Sequence, residues 1–191
     1  MKKNFSSLNI FKNKSYFILF LVLLILLILG LLYKFVTVNN DIVKCNMKYA
    51  LCPAAKCVPD PNDNSKAYCF CDVKNGTNYS FGNNNCKNIQ PYINESGSEM
   101  IYSDFSPIIK NMGYHGVTCP SEAVNLNCMN KICSVYPHDP SKAICVCDKT
   151  NNQGQNWVTY NKNNTEKICN YQSGASLEQQ ARLQKFIKEN P

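Results

Sequence analysis

Two short segments with almost the same sequence decide the fold: SKAYCFCD at residues 65–72 and SKAICVCD at residues 141–148. Each contains two cysteines that are separated by one residue. A shift of 76 residues superimposes the segments and aligns four cysteines of each copy without a gap: Cys52, Cys57, Cys69 and Cys71 on Cys128, Cys133, Cys145 and Cys147. Between residues 52 and 72, ten identities share this offset, six of them not cysteine, and this repetition indicates a tandem duplication.

The spacing of the paired cysteines predicts how they are used. If each segment is a β-strand, consecutive side chains point to opposite faces, so Cys69 and Cys71 share one face and Phe70 takes the other. Val146 repeats that apolar residue in the second copy. Two cysteines roughly 6.6 Å apart along one strand are poorly placed to bond each other. We therefore expect each cysteine to form a disulfide with a different segment.

The cysteines form two sets of six, which define a first module at 45–86 and a second at 119–170: Cys45, Cys52, Cys57, Cys69, Cys71 and Cys86, then Cys119, Cys128, Cys133, Cys145, Cys147 and Cys169. Even sets at repeated spacing in small modules are typical of disulfide frameworks. Zinc is the alternative, but the recurrent pairs, C-x4-C and C-x-C, are marginal for the usual thiolate spacing. We predict twelve disulfide-bonded cysteines with no metal or cofactor, and the pairing stays open.

Turn-forming residues precede both predicted strands. The loops VPDPNDN at 58–64 and SVYPHDP at 134–140 are rich in proline, aspartate and asparagine, which predicts ordered surface loops. The Asn75-Gly76 pair is a hairpin signal, and NWVTY at 156–160 alternates like a strand. Each module is thus predicted to be a small, turn-rich β unit.

Two further segments lie outside the modules. The connector at 87–118 contains MIYSDFSPII, which is too apolar for a free linker, so part of it is expected to pack against a module. A C-terminal helix is predicted at 176–189, because residues 176–179 fit a capping box and an apolar stripe follows: Leu183, Phe186 and Ile187. We expect this helix to dock on the second module; a partner-binding tail is the alternative.

The N-terminal segment differs in kind from the rest. An uncharged apolar run from Tyr16 to Tyr33 predicts a transmembrane helix at 16–34. A cleaved signal peptide is the alternative, but its apolar region is usually shorter and ends at small residues. Lysines without acids precede the run, which predicts a cytoplasmic N-terminus at 1–15 and modules outside, in a single-pass membrane protein. The modules then lie in an oxidising compartment.

The charge distribution argues against nucleic acid as a partner. The formal net charge is +7, but five lysines and no acids lie in residues 1–34, which leaves 15 basic against 13 acidic residues beyond them. A protein that binds nucleic acid needs a basic patch, and this near-neutral balance does not supply one. The predicted partners are therefore the membrane, through residues 16–34, and another protein.

Several motifs together resemble a family of uncharacterised cysteine-rich exported proteins of intracellular gamma-proteobacteria. They are LCPAAKCVPDPNDNSKAYCFCD, IYSDFSP, TCP, KICSVYPHDPSKAICVCD, WVTY and YQSGA, which spread over about residues 45–176. The resemblance implies a bacterial inner membrane with the modules in the periplasm. It implies no activity and no catalytic residues.

The sequence predicts a small, disulfide-rich, mainly β ectodomain of two tandem modules, with an N-terminal transmembrane helix and a short C-terminal helix. His115 and His138 are the two imidazoles, and neither lies beside a nucleophile motif, so we predict that the protein is not an enzyme. A binding or envelope-associated role, with the loops 58–64 and 134–140 as contact surfaces, is favoured. The alternatives are a protease inhibitor that presents Lys66 or Lys142, and a redox protein that uses the C-x-C pairs.

Overall fold

The structure is a computed structural model that describes residues 14–38, 42–82, 85–106, 113–161 and 169–190, with side chains of the first helix described over 17–30. The chain divides into two compact units, residues 1–41 and 42–191. Its elements are α1 (Lys14–Val38), β1 (Ile42–Pro59), β2 (Lys66–Phe81), β3 (Tyr92–Ile93), β4 (Glu99–Asp104), β5 (His115–Cys119), β6 (Asn125–Asn127), β7 (Ile132–Val135), β8 (Lys142–Thr150), β9 (Trp157–Asn161), β10 (Gln172–Ser173), β11 (Ala175–Ser176) and α2 (Leu177–Glu189). The predicted small, mainly β and disulfide-rich fold is confirmed.

The first unit contains α1. Over the residues that the structure describes, no helix combines the length and apolarity needed to cross a membrane. The transmembrane helix predicted at 16–34 is therefore not confirmed. All but the last two residues of the predicted cytoplasmic segment 1–15 lie outside the described residues.

Five strands of the second unit pair in a closed ring. The order around the ring is β1, β2, β8, β7 and β4, and β4 pairs with β1 again. The β1–β4 pair is parallel and the other four are antiparallel. β4 comes from the predicted connector at 87–118, so this segment completes the ring rather than spacing two modules. Ring closure leaves few unpaired backbone groups along the strands.

The two copies of the repeated segment lie side by side in the ring. Cys69 in β2 stands directly opposite Cys145 in β8, and Asp72 stands opposite Lys142. Cys69 and Cys145 are also equivalent positions of the duplication. An antiparallel pair in which a residue faces its own counterpart has a local two-fold axis, so the modules are related by approximate two-fold symmetry about this cysteine pair.

All twelve cysteines form disulfides, and both modules use the same nested pattern. The first cysteine of each module bonds the sixth, the second bonds the fifth and the third bonds the fourth: Cys45–Cys86, Cys52–Cys71, Cys57–Cys69, Cys119–Cys169, Cys128–Cys147 and Cys133–Cys145. Cys69 and Cys71 do not bond each other, as predicted, but both bond the same strand, β1, rather than two different segments. Cys57 and Cys69 are also ladder partners, with Cα atoms 4.1 Å apart, which is the close spacing of a non-hydrogen-bonded antiparallel pair.

The inner disulfides take the place of large core side chains. A buried cluster contains cysteines of both modules with small residues such as Ala67 and Ala143, and larger residues are few there, among them Ile101 and Leu126. The residue between the paired cysteines lies on the opposite face, as predicted, because Phe70 is 48% exposed and Val146 is 39% exposed. Cross-links therefore hold a ring whose interior offers little apolar area.

The hairpin turns explain why Asp and Ser recur before each strand. In the first module Asp63 Oδ1 accepts hydrogen bonds from the backbone N–H and hydroxyl of Ser65, at 2.9 and 2.6 Å. Asp139 accepts the same pair from Ser141, at 3.0 and 2.5 Å. These side chains hold each turn in the same shape, so the predicted ordered loops are confirmed.

The hairpin predicted at Asn75-Gly76 is wrong. Gly76 has φ +119° and lies inside β2, opposite Met47 of β1. The pairing of β1 with β2 continues on both sides of it, and the chain turns between Pro59 and Lys66 instead. Glycine at 76 supplies the positive φ within a long twisted ladder rather than a tight turn.

A second sheet joins β11, β9 and β5. The strand predicted at 156–160 is confirmed as β9, and the buried Trp157 in it donates from Nε1 to the Pro120 carbonyl at 3.1 Å. Gly174 packs so closely on the Trp157 ring that a Cβ there would overlap the ring and would lie 2.7 Å from the Val158 carbonyl oxygen.

The C-terminal helix α2 begins at the predicted capping box. The Ser176 hydroxyl accepts from the Gln179 N–H at 3.1 Å, and Gln179 Oε1 accepts from the Ser176 N–H at 3.0 Å. The predicted apolar stripe is packed, because Leu183 is buried and the Phe186 ring meets the Tyr79 ring edge-on at 5.8 Å. The cluster that receives the stripe includes Tyr79 of the first module as well as Tyr160 of the second, so α2 does not dock on the second module alone.

We expect Gly174→Ala to destabilise the protein by about 1–3 kcal/mol, because the added methyl group overpacks the Trp157 site. Gly116→Ala is the matched control, since a Cβ there would meet its nearest neighbour, the Tyr160 ring, at 3.8 Å. Thermal unfolding of both variants measures the difference. An equal loss in the two variants would contradict the close contact at Gly174.

A buried carboxyl group lies where β4 leaves the ring. Asp104 is 1% exposed, and its Oδ2 accepts a hydrogen bond from Asn78 Nδ2 at 2.5 Å. Its Oδ1 has no hydrogen-bond partner among the described residues. Burial raises the pKa of Asp104 to about 6, against an ordinary value of 3.8, and hydrogen bonds from neighbouring side chains oppose this only in part.

We expect the raised pKa of Asp104 to make the protein lose stability as the pH rises from about 4 to about 6. The folded state binds the Asp104 proton more tightly than the unfolded state, so the loss begins near the unfolded pKa of about 4 and is complete just above the folded value. A shift of about two units corresponds to roughly 3 kcal/mol. Asp104→Asn should flatten the stability profile between pH 4 and 7, as measured by urea unfolding at each pH. An unchanged slope would contradict the raised pKa.

Candidate functional site

A groove opens beside the seam between the two modules, on the outer face of the ring. Its volume is about 560 Å³, within the range of ligand-binding clefts. Its walls are mainly apolar and come from both modules: Leu51, Pro53, Ala55, Phe70, Tyr136 and Ile144. We call this cleft the inter-module groove. Phe70 and Ile144 are ladder partners across the β2–β8 seam, so the join itself forms the floor.

One end of the groove is polar and electrically balanced. Lys142 Nζ lies 2.5 Å from Asp72 Oδ1, and the Tyr114 hydroxyl donates to Asp72 Oδ2 at 2.9 Å. Burial works against ionisation of Asp72, but the hydrogen bonds from Lys142 and Tyr114 outweigh it and hold its pKa below the ordinary value. Burial, followed by the hydrogen bond to this carboxylate, raises the pKa of Tyr114 to about 12. Tyr114 therefore stays a hydrogen-bond donor.

The backbone of β1 is irregular where it borders the groove. The β1–β2 ladder breaks between Leu51 and Lys56, and residues 52–55 have no ladder partner among the described strands. Ala54 has φ +75°, a left-handed conformation that non-glycine residues seldom adopt. Pro53, Ala54 and Ala55 all line the groove, beside the apolar floor.

The modules differ at the groove, although they match in the core. Phe70, Tyr136 and Ile144 line it, whereas their counterparts under the 76-residue shift, Val146, Asp60 and Tyr68, do not. At two of the three positions the groove has the larger, aromatic residue: Phe70 stands where the other module has Val146, and Tyr136 stands where it has Asp60. The approximate symmetry of the scaffold is therefore broken on the surface that forms the cleft.

The predicted contact loops contribute unequally to this site. Tyr136 and Asp139, from the loop at 134–140, line the groove, and no residue of the loop at 58–64 does. The sequence analysis missed Phe70 as a site residue, although the apolar position between the paired cysteines was the available signal. His138 lies in the loop, with its ring 5.7 Å from the Tyr136 ring, and His115 lies in β5.

The core contains two groups of three sulfur atoms, and within each group the three atoms lie within 4.8 Å of one another. The groups are Cys52, Cys71 and Cys145, and Cys69, Cys128 and Cys147. Each group consists of one disulfide and one sulfur of the other module. A metal ion needs thiolates, so these sulfurs are not ligands while they are bonded to each other.

Comparison with the models of known protein families, with curated proteins and with solved structures finds no match.

We expect Ala54→Gly to be neutral or to stabilise the protein by up to about 1 kcal/mol, because glycine accepts the left-handed conformation that costs alanine about 1–2 kcal/mol. Ala55→Gly is the control; this neighbour is buried, without a positive φ, and should lose about 1 kcal/mol. Chemical unfolding compares the two. A clear loss in Ala54→Gly would contradict the kink that borders the groove.

Proposed function

We propose that this chain is a non-enzymatic binding protein, and that the inter-module groove takes an apolar side chain from an extended segment of a partner protein. The observation that carries the proposal is the groove itself, a cleft of about 560 Å³ with an aromatic and aliphatic floor where the modules diverge. A buried aromatic or aliphatic anchor in a cleft is the usual centre of a protein–protein contact.

The backbone beside the groove favours an extended protein segment over a small molecule. Residues 52–55 lie next to the apolar floor without ladder partners among the described strands, so a strand of the partner could pair with the backbone beside Ala54, although Pro53 has no N–H and Cys52 and Ala55 are buried. The balanced pair of Asp72 and Lys142 at one end gives no net charge that would select an ionic ligand. Backbone pairing would supply affinity, and the floor would select the side chain.

The disulfides support an extracytoplasmic setting for this binding role. Six cross-links in a small domain are typical of oxidising compartments, such as the periplasm or the outside of the cell. The envelope-associated location agrees with the resemblance to exported proteins. The tether through residues 16–34 stays a prediction, and the groove does not depend on it.

The two alternative functions have less support. Lys66 and Lys142, the residues that an inhibitor would present, open paired strands, and their ammonium groups contact Asp63 and Asp72. A protease-binding loop would instead hold its lysine away from the scaffold. A redox role in which the two cysteines of a C-x-C pair bond each other has less support, because Cys69 and Cys71 bond Cys57 and Cys52 instead.

The approximate symmetry supplies a matched pair of variants for the test. Peptides are selected from a random library on the full oxidised chain, and their affinities are then measured for Phe70→Ser and Val146→Ser. Both residues are exposed, at 48% and 39%, and they occupy equivalent positions, but only Phe70 lines the groove. We expect Phe70→Ser to weaken binding about tenfold or more and Val146→Ser to leave it unchanged.

The selected peptides provide a second check. They should share an apolar residue within an extended pattern, and Tyr136→Ala should weaken them as Phe70→Ser does. Peptides that bind both serine variants with the affinity of the original chain would contradict the proposal.

A further inference from the structure

The inner disulfides of the two modules touch each other. Cys128 Sγ lies 3.5 Å from Cys69 Sγ, and Cys52 Sγ lies 3.4 Å from Cys145 Sγ. Each contact joins a disulfide of one module to a disulfide of the other. The two contacts are counterparts, because the 76-residue shift converts Cys52 to Cys128 and Cys69 to Cys145. A sulfur that loses its own partner would therefore already lie beside a disulfide of the other module.

The modules differ in how far these sulfurs are accessible. Seven of the eight inner cysteines are at most 2% exposed: Cys52, Cys69, Cys71, Cys128, Cys133, Cys145 and Cys147. Cys57 is partly exposed, whereas its counterpart Cys133 is fully buried. Thiol–disulfide exchange depends on which sulfur a thiolate can reach. Cys57 is thus the one inner cysteine that is not fully buried, and it is the inner cysteine nearest to solvent.

We infer that Cys57–Cys69 is a site of exchange with a thiol partner and that it passes the exchange to Cys128–Cys147 of the second module. An external thiolate bonds to Cys57 Sγ, the Cys57–Cys69 bond breaks, and its electron pair leaves with Cys69 as a thiolate. Cys69 then bonds to Cys128 Sγ, the Cys128–Cys147 bond breaks, and Cys147 leaves as a thiolate that takes up a proton.

The two steps balance without any oxidant. One thiol is consumed, one mixed disulfide forms at Cys57, and one disulfide between the modules, Cys69–Cys128, replaces one within a module. A dithiol partner completes the reaction, because its second thiolate displaces Cys57 and the dithiol leaves as its own disulfide. The protein has then lost one disulfide and gained a covalent link across the seam. This reactivity goes beyond the proposed binding role and does not depend on the groove.

Glutathione tests both steps on the full oxidised chain under native conditions. Acid quenching, alkylation under denaturing conditions and peptide mass spectrometry then locate every sulfur. We expect glutathione on Cys57, a Cys69–Cys128 linkage and an alkylated Cys147. Adducts on Cys133 as frequent as those on Cys57 would overturn the first step. An adduct on Cys57 with an alkylated Cys69 and an intact Cys128–Cys147 bond would overturn the second.

A pair of variants tests the second step without any added thiol. Cys57→Ser leaves Cys69 without its partner, and we expect the purified chain to carry the Cys69–Cys128 linkage and a free thiol at Cys147. Cys86→Ser is the control, because it leaves Cys45, which lies in a separate cluster with Met47 and Ile89. That thiol should stay at Cys45. A free thiol retained at Cys69 would overturn the exchange, and the glutathione experiment decides the question if the variant does not fold.

Discussion

The pairing of Cys69 with Cys145 across antiparallel strands is the contact on which the rest of the second unit depends. It joins two equivalent positions of a duplication, so it sets the approximate two-fold relation of the modules. Each cysteine also bonds a neighbouring strand of its own module, Cys57 in β1 and Cys133 in β7. Four of the five ring strands are thus tied together around one point, and β4 closes the remaining gap between β1 and β7.

Small side chains follow from this arrangement. Four disulfides fill much of the interior of the five-stranded ring, so the remaining core positions hold small side chains. Examples are Ala50, Ala67 and Ala143, all of which are 0% exposed. A conventional core of this size would gain its stability from larger apolar side chains. Here the cross-links restrict the unfolded chain instead, and that restriction lowers the entropy lost on folding. The larger aromatic residues are concentrated in a second cluster that includes Tyr49 and Tyr79, and there the Phe186 ring of α2 meets the Tyr79 ring.

The local parts of this fold could be predicted from the sequence, because local rules govern them. The alternation of side chains in a strand placed Cys69 and Phe70 on opposite faces, and the capping box located the start of α2 within one residue. The pairing of one module with the other could not be predicted, since no local pattern shows that a strand will face its own counterpart. The strand through Asn75-Gly76 shows the same limit, because pairing with β1 outweighs the turn preference of the dipeptide.

The proposed binding surface was harder to predict than the scaffold, and the reason lies in what duplication preserves. Residues that hold the turns and disulfides must match in both modules, so a repeat search finds them. The apolar residues of the groove are those in which the modules differ, such as Tyr136 against Asp60, and a repeat search discards them, whereas the polar end of the groove, with Asp72 and Lys142, is built from residues that match. The accessibility of Cys57 against Cys133 is a further difference of this kind. In a chain built from two copies of one scaffold, specific properties arise where the symmetry fails, because a symmetric surface would present every site twice.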